Sequence, residues 1–190
     1  FGALVIADEV QCGIGRTGTL FAYETSGIRP DIIAVAKGLG GGFPVGAVIA
    51  TQTVGSAMTP GTHGSTFAGN PLAMAVAEVV LDELGTPGFL ADVRRRAGIL
   101  RDALRAVADQ HVGAVVELRG RGFLCGVRLA DHLPAGDAVA AMRDEHLLTV
   151  PAGENTVRFL PPLVISEAEI ATAVEGFERV LGRMVAAQDG

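Results

Sequence analysis

Three short apolar runs mark the start of the chain: Ala3–Ala7, residues 31–36 and Val45–Ala50. Continuous runs of this length match strands buried on both faces of a parallel sheet. The first run passes through Asp8 into a glycine-rich loop around Gly13, Gly15 and Gly18. The second ends at Lys37, immediately before Gly38, Gly40, Gly41 and Gly42. The stretch Thr59–Gly69 is rich in small residues and reads as a loop. Asn70-Pro71 then has the form of an N-cap followed by proline at the first helical position, which predicts a helix from Pro71 to Leu84. Gly85 is the expected stop, with Pro87 beyond it.

After that stop the period changes. Phe89, Leu90, Val93, Ala97, Leu100, Leu104 and Val107 recur at spacings of three and four and predict an amphipathic helix. Runs at 114–118, 122–129 and 157–160 suggest strands. Ser166 with Glu169 forms a capping-box pattern for a final helix running to about residue 186. The expected architecture is therefore α/β: part of a larger domain with a mixed or parallel sheet over 1–86, and a smaller α/β domain over 87–190. Gly120 and Gly122 flank Arg121, but no GxGxxG pattern or strand-then-helix context surrounds them, so a plain turn is expected. The chain has no internal repeat and no low-complexity tract.

Composition narrows the function classes. With 49% apolar residues and a mean hydropathy of +0.40, the 190 residues belong to a well-buried globular protein. The net charge of -6 argues against a nucleic-acid surface, and the triplet Arg94-Arg95-Arg96 falls in a helical pattern as a solvated face. Cys12 and Cys125 lie far apart, and His63, His111, His132 and His146 form no cluster, so no metal site is expected. No apolar stretch approaches the roughly 20 residues of a spanning helix, and no cleavable leader is visible. The expected location is the cytoplasm, without membrane association.

The candidate chemistry begins with a residue used once. Lys37 is the sole lysine among fifteen basic residues. Burial at the end of a strand favours a neutral amine, whose lone pair attacks carbonyls to form a Schiff base. A lone basic residue capping a strand accounts for the position equally well. Asp8 ends the first apolar run, and in open α/β sheets the ligand crevice lies at the carboxyl ends of the strands. A carboxylate and a single amine so placed suit pyridoxal phosphate, whose aldehyde needs a lysine and whose pyridinium nitrogen needs an acid. A buried salt bridge between Asp8 and Lys37 is the alternative, and such a bridge adds little stability.

Four ordered motifs carry a resemblance that decides between these. They are Leu4–Gln11 with Gly15-Arg16-Thr17-Gly18, Arg29–Ala47, Gly61–Ala73, and Val157–Ile165. Together they resemble the class III aminotransferases. The resemblance implies the type I fold of pyridoxal-phosphate-dependent transferases and a site built residue by residue. Lys37 matches the lysine that holds the cofactor aldehyde and shuttles the proton. Asp8 matches the partner of the ring nitrogen, Val10 packs on a ring face, Gln11 bonds the ring hydroxyl, and Glu9 sits beside them. Thr66 matches a residue that reaches the phosphate across a dimer interface, with Ser65 near the substrate. Arg158 matches the arginine that grips a substrate carboxylate through a bidentate fork; taken without the resemblance, it reads as a surface arginine in a strand edge.

The resemblance covers the second half of the family's polypeptide. It implies that the glycine-rich phosphate loop, the ring-stacking aromatic residue, a glutamate segment and a second substrate arginine lie upstream. Phosphate binding leans on backbone amides at a helix N-terminus, so these 190 residues alone are expected to be inactive. Within the family, the nearest resemblance is to the branch acting on N-acetylornithine. The implied reaction moves its terminal amino group to 2-oxoglutarate, in arginine biosynthesis, within a homodimer whose active sites are shared. Ornithine, 4-aminobutyrate or a succinylated amine as donor, and a truncated non-catalytic paralogue, are the alternatives.

Overall fold

Parallel pairing joins the first two apolar runs. In the computed structural model, which describes residues 2–188, β1 (Ile6–Asp8) lies parallel to β2 (Ile32–Val35), and β2 pairs antiparallel with β3 (Ala47–Ala50). The sheet order is β1-β2-β3, a mixed sheet with Asp8 opposite Ala34. Asp31 pins its start: the Asp31 carboxylate accepts the Val5 N–H at 2.8 Å, and the Asp31 N–H returns a bond to the Val5 carbonyl at 2.8 Å.

The expectation of burial fails for the first strand and holds for inward-facing residues of the second, while the third is exposed throughout. Ile33 and Val35 of the central strand are buried, but Ile6 is 65% and Val48 71% exposed. The outer strands each have one hydrogen-bonded neighbour, and among the described residues nothing covers β3, which is exposed at all four positions.

The helix expected from Asn70-Pro71 is α2 (Pro71–Gly85), preceded by a single turn, α1 (Gln52–Gly55). The Asn70 side chain accepts the Ala73 N–H at 2.9 Å, so the cap forms as its sequence dictates. The stop differs from expectation. Gly85 stays in the helix, and Thr86 closes it by donating from its N–H to the Glu83 carbonyl and from its hydroxyl to that of Asp82. The left-handed glycine is Gly88, at φ 89°.

The chain divides into two units, Phe1–Ala91 and Asp92–Gly190. In the second, β4 (Val115–Arg121), β5 (Leu124–Leu129), β6 (Val150–Ala152) and β7 (Thr156–Phe159) form an antiparallel sheet ordered β4-β5-β7-β6. Helices α3 (Phe89–Gln110), α4 (Ala135–Asp144) and α5 (Glu167–Ala186) supply apolar faces that include Leu104, Met142 and Phe177. Phe177 is fully buried and meets Phe159 edge-to-face at 5.4 Å. Burying one such ring contributes about 2–3 kcal/mol, with about 1 kcal/mol more from the paired geometry.

Local chemistry sets the ends of these elements. Gly120 and Gly122 build the β4–β5 hairpin, as the plain-turn reading expects. A Cβ on Gly120 would stand 1.9 Å from the Leu124 carbonyl oxygen, so no other residue fits there. The Ser166–Glu169 capping box forms in both directions at the start of α5. Helix α4 was not legible in this way, because Pro134 offers no side-chain cap. Its first free N–H, on Ala135, is accepted by the Asn155 side chain at 2.7 Å. The same Asn155 amide donates to the carbonyls of Leu129, Ala130 and Leu133 at 2.9–3.2 Å. One side chain thus joins the end of β5, the following turn and the start of α4.

Candidate active site

Two of the sequence-predicted residues stand at the carboxyl ends of adjacent parallel strands. Asp8 is the last residue of β1, and Lys37 follows β2 by two positions. Both are exposed. One Asp8 carboxylate oxygen accepts the Val10 N–H at 3.1 Å, which orients the carboxylate and leaves the other oxygen presented. Among the described residues no ion pair or hydrogen bond engages the Lys37 ammonium. The salt-bridge alternative is therefore not what these residues do here. Nor is Lys37 desolvated as its place after an apolar run suggests: it opens a 3-10 turn (Lys37–Gly40) at the end of the sheet, outside the strand's cover.

The backbone at Lys37 is unusual. Its φ is 45°, in the left-handed region that side chains other than glycine rarely enter. Outliers of this kind cost about 1–3 kcal/mol and persist where their surroundings hold them. Here the holder is Ile14, itself left-handed at φ 56° and buried. Its Cβ lies 3.3 Å from where a Cβ on Gly38 would stand, so the glycine after the lysine is what lets the two turns pack.

Val10 and Gln11 follow Asp8 in the same turn and are half-buried. Glu9 behaves differently from its neighbours. It is 3% exposed, and its carboxylate faces into the loop rather than the strand ends. Oε2 accepts the Ala22 N–H at 2.9 Å and the Cys12 thiol at 3.3 Å, while Oε1 accepts the Tyr23 N–H at 2.8 Å. Burial and the adjacent Glu9 carboxylate push the Cys12 thiol up to about 11, so it is protonated at neutral pH. The sequence leaves the role of Glu9 open; the partner segment at 22–23 defines it.

Ser65 and Thr66 lie on the exposed loop before α2. The Ser65 carbonyl accepts the Ala68 N–H at 3.3 Å and the Phe67 carbonyl accepts both the Asn70 N–H and its side-chain amide, so the loop is tied to the helix cap. Arg158, in the second unit, is on β7, between Gly126 of β5 and Val150 of β6. It is half-buried on an interior strand, not on the strand edge that its sequence context alone suggests.

These groups fit pyridoxal phosphate: an oriented carboxylate for a ring nitrogen, an unengaged primary amine for an aldehyde, and a glycine-rich turn that admits a ring closely. Among the described residues no group of three or more His, Cys, Asp or Glu could hold a metal ion, and no helix is long and apolar enough to cross a membrane.

Comparison with known proteins gives one consistent result. The family model described as aminotransferase class-III matches residues 1–181. The chain is 50% identical over 187 residues to acetylornithine aminotransferase 1 of Bradyrhizobium diazoefficiens, covering 98% of this chain and 46% of that protein. It is 53% identical over 173 residues to the acetylornithine aminotransferase of Mesorhizobium japonicum, covering 91% and 43%. Among solved structures, N-acetylornithine aminotransferase from Stenotrophomonas maltophilia superposes with a TM-score of 0.86 at 37% identity, over 97% of this chain and 48% of that one. The chain thus spans a little under half the length of the relatives it matches.

Proposed function

This chain belongs to the class-III aminotransferases and shares the type I fold of the pyridoxal-phosphate-dependent transferases, and from that premise we propose that its protein transfers the terminal amino group of N-acetylornithine to 2-oxoglutarate. The observation that carries the reading is the pairing of Asp8 and Lys37 at the ends of parallel strands, with Asp8 opposite Ala34 and the amine free of partners. The substrate rests on identities of 50% and 53% to acetylornithine aminotransferases across nearly the whole chain.

Bound pyridoxal phosphate supplies an aldehyde that captures the donor amine and a ring that accepts the electrons released at the carbon bearing it. Lys37 would hold that aldehyde between turnovers and, once displaced, would carry the proton between the donor carbon and the former aldehyde carbon. Asp8, its carboxylate oriented by the Val10 N–H, would pair with the protonated ring nitrogen. Val10 would pack on the ring face and Gln11 would bond the ring hydroxyl. Arg158 holds a carboxylate of the 2-oxo acid through two parallel hydrogen bonds. Thr66 would reach the phosphate of a second copy, with Ser65 near the substrate, which makes the active form a homodimer; its location is the cytoplasm. Residues 1–86 then belong to the large domain, whose remainder carries the phosphate loop, and 87–190 form the small domain.

The test uses the full polypeptide loaded with pyridoxal phosphate. N-acetylornithine should bleach the visible band of the bound cofactor rapidly, while ornithine and 4-aminobutyrate should bleach it slowly. Preferential bleaching by either of the latter moves the enzyme to another donor. Absence of a visible band refutes the cofactor assignment.

A further inference from the structure

We infer that Glu9 is a positioning residue, a buried carboxylate that locks Asp8 and Lys37 into a common geometry without touching the cofactor. The inference rests on the function proposed above. A carboxylate less than a twentieth exposed must have its lone pairs satisfied, and Glu9 satisfies them on a segment far along the chain. Its two oxygens take the N–H groups of Ala22 and Tyr23, the first residues of the 3-10 turn Ala22–Thr25. These are donors that no carbonyl within that turn can reach. Its third donor, the Cys12 thiol, also reaches the Asp8 carbonyl at 3.3 Å.

The main chain of Glu9 is fixed as firmly as its side chain. Its N–H extends the β1–β2 ladder by donating to Ala34 at 2.9 Å, and its carbonyl accepts the Gly13 N–H at 3.0 Å. Gly13 in turn leaves no room for a side chain: a Cβ there would meet the Glu9 carbonyl at 2.8 Å. On this platform stands Ile14, whose left-handed conformation seats Gly38 and with it the Lys37 turn. One residue therefore sets two things. On its N-terminal side it holds the peptide from which the Asp8 carboxylate projects. On its C-terminal side it holds the support under Lys37.

This assigns Glu9 a different role from its neighbours Asp8, Val10 and Gln11. With all three donors directed at it from within the loop, its carboxylate is not presented at the strand ends. Glu9→Gln keeps the shape but places an amide NH2 against one of the backbone N–H donors. One of the two anchors must then open.

The experiment compares wild type, Glu9→Gln and Cys12→Ala in the full polypeptide, by cofactor titration and by visible circular dichroism of the bound pyridoxal phosphate. Glu9→Gln should weaken cofactor binding about tenfold, equivalent to the loss of one charge-assisted hydrogen bond. Its visible dichroism should fall, because the ring is no longer held in one orientation. Cys12→Ala removes one donor and no charge, and should shift both readouts in the same direction by about twofold. Wild-type affinity in Glu9→Gln overturns the inference, and so does weakened binding with unchanged dichroism, since the ring would then sit as before. If Glu9→Gln does not fold, Cys12→Ala decides, and wild-type dichroism in that variant overturns it. A wild-type protein with no visible band defeats the proposed function, and this inference with it. A wild-type band that Glu9→Gln leaves unaltered defeats this inference alone.

Discussion

The two units bury their apolar side chains very differently. Every large side chain less than 2% exposed, from Val93 through Phe123 and Met142 to Leu181, lies in the second unit. The first has Leu4, Val5 and Ile6 exposed before and at the start of one edge strand and Val48 and Ile49 on the other, with Phe67, Leu72 and Val79 exposed on and before α2. The same contrast holds for charge. The second unit ties its elements with ion pairs such as Arg183–Glu145 and Arg119–Glu154, whereas the first ties them with one buried carboxylate. The first unit, open among the described residues, carries Asp8 and Lys37, and the more closed second unit carries most of the packing together with Arg158.

The sharpest test separates chemistry from packing. Lys37→Ala in the full polypeptide should lower transamination by at least about a thousandfold, because the amine that would hold the aldehyde and move the proton is removed. Its thermal midpoint, by calorimetry without cofactor, should stay at or above the wild-type value, since the variant keeps every described bond. A residual rate within about tenfold of wild type would remove the lysine from the chemistry.

In the closed unit the largest expected effect is on stability. Phe177→Ala deletes a fully buried ring and its edge contact with Phe159, and should cost about 3–5 kcal/mol in chemical denaturation. A truncation of the exposed Phe67 should cost far less, because that ring gives up little burial. Equal losses at the two positions would mean that the first unit's open face is packed in the full polypeptide.

Asn155→Ala is next. It removes four hydrogen bonds at once and leaves the Ala135 N–H without its acceptor, for an expected loss of about 2 kcal/mol. Smaller still is the response to acid. Asp92, Glu145, Glu154 and Glu169 are all in the second unit. The first three are held below the usual carboxylate range chiefly by hydrogen bonds from arginines, and Glu169 by the Ser166 N–H. Depressed carboxylates contribute stability above their unfolded values, and that contribution disappears as pH falls through the lower folded ones. The thermal midpoint should therefore hold steady at neutral pH and begin to fall below pH 4.5, the ordinary glutamate value. Added salt should shrink the effect, because the pairs are solvent-exposed.

What the sequence made legible divides along the same line. The Asn70-Pro71 start of α2 and the Ser166–Glu169 box of α5 form as expected, because a cap is decided within four residues. Helix α4 escaped notice because its cap comes from Asn155, twenty residues away in sequence. The positions of Asp8 and Lys37 at strand ends follow from apolar runs, but their exposure does not, since a run of hydrophobic residues says nothing of what covers it. Glu9 was the hardest to read. Beside Asp8 it has the same chemistry and the same loop, and only the return of the chain at Ala22 and Tyr23 gives the two carboxylates opposite roles.

The smallest effect tests whether strain means the same in both units. His146 is left-handed at φ 58°, just past the end of α4. There the His146 N–H reaches the Arg143 carbonyl and the Leu147 N–H the Met142 carbonyl, both at 2.9 Å, the bonding of a Schellman stop. Glycine adopts that conformation without a Cβ penalty, so His146→Gly should stabilise the protein by about 0.5–1 kcal/mol and leave activity unchanged. The left-handed Lys37 sits in no such interchangeable turn, because relieving its backbone with glycine also removes the amine. A loss of activity in His146→Gly would mean that strain in the closed unit also serves the site. Simple stabilisation would make the His146 strain a matter of helix termination alone, unlike that at Ile14 and Lys37, where the loop built on Glu9 holds it in place.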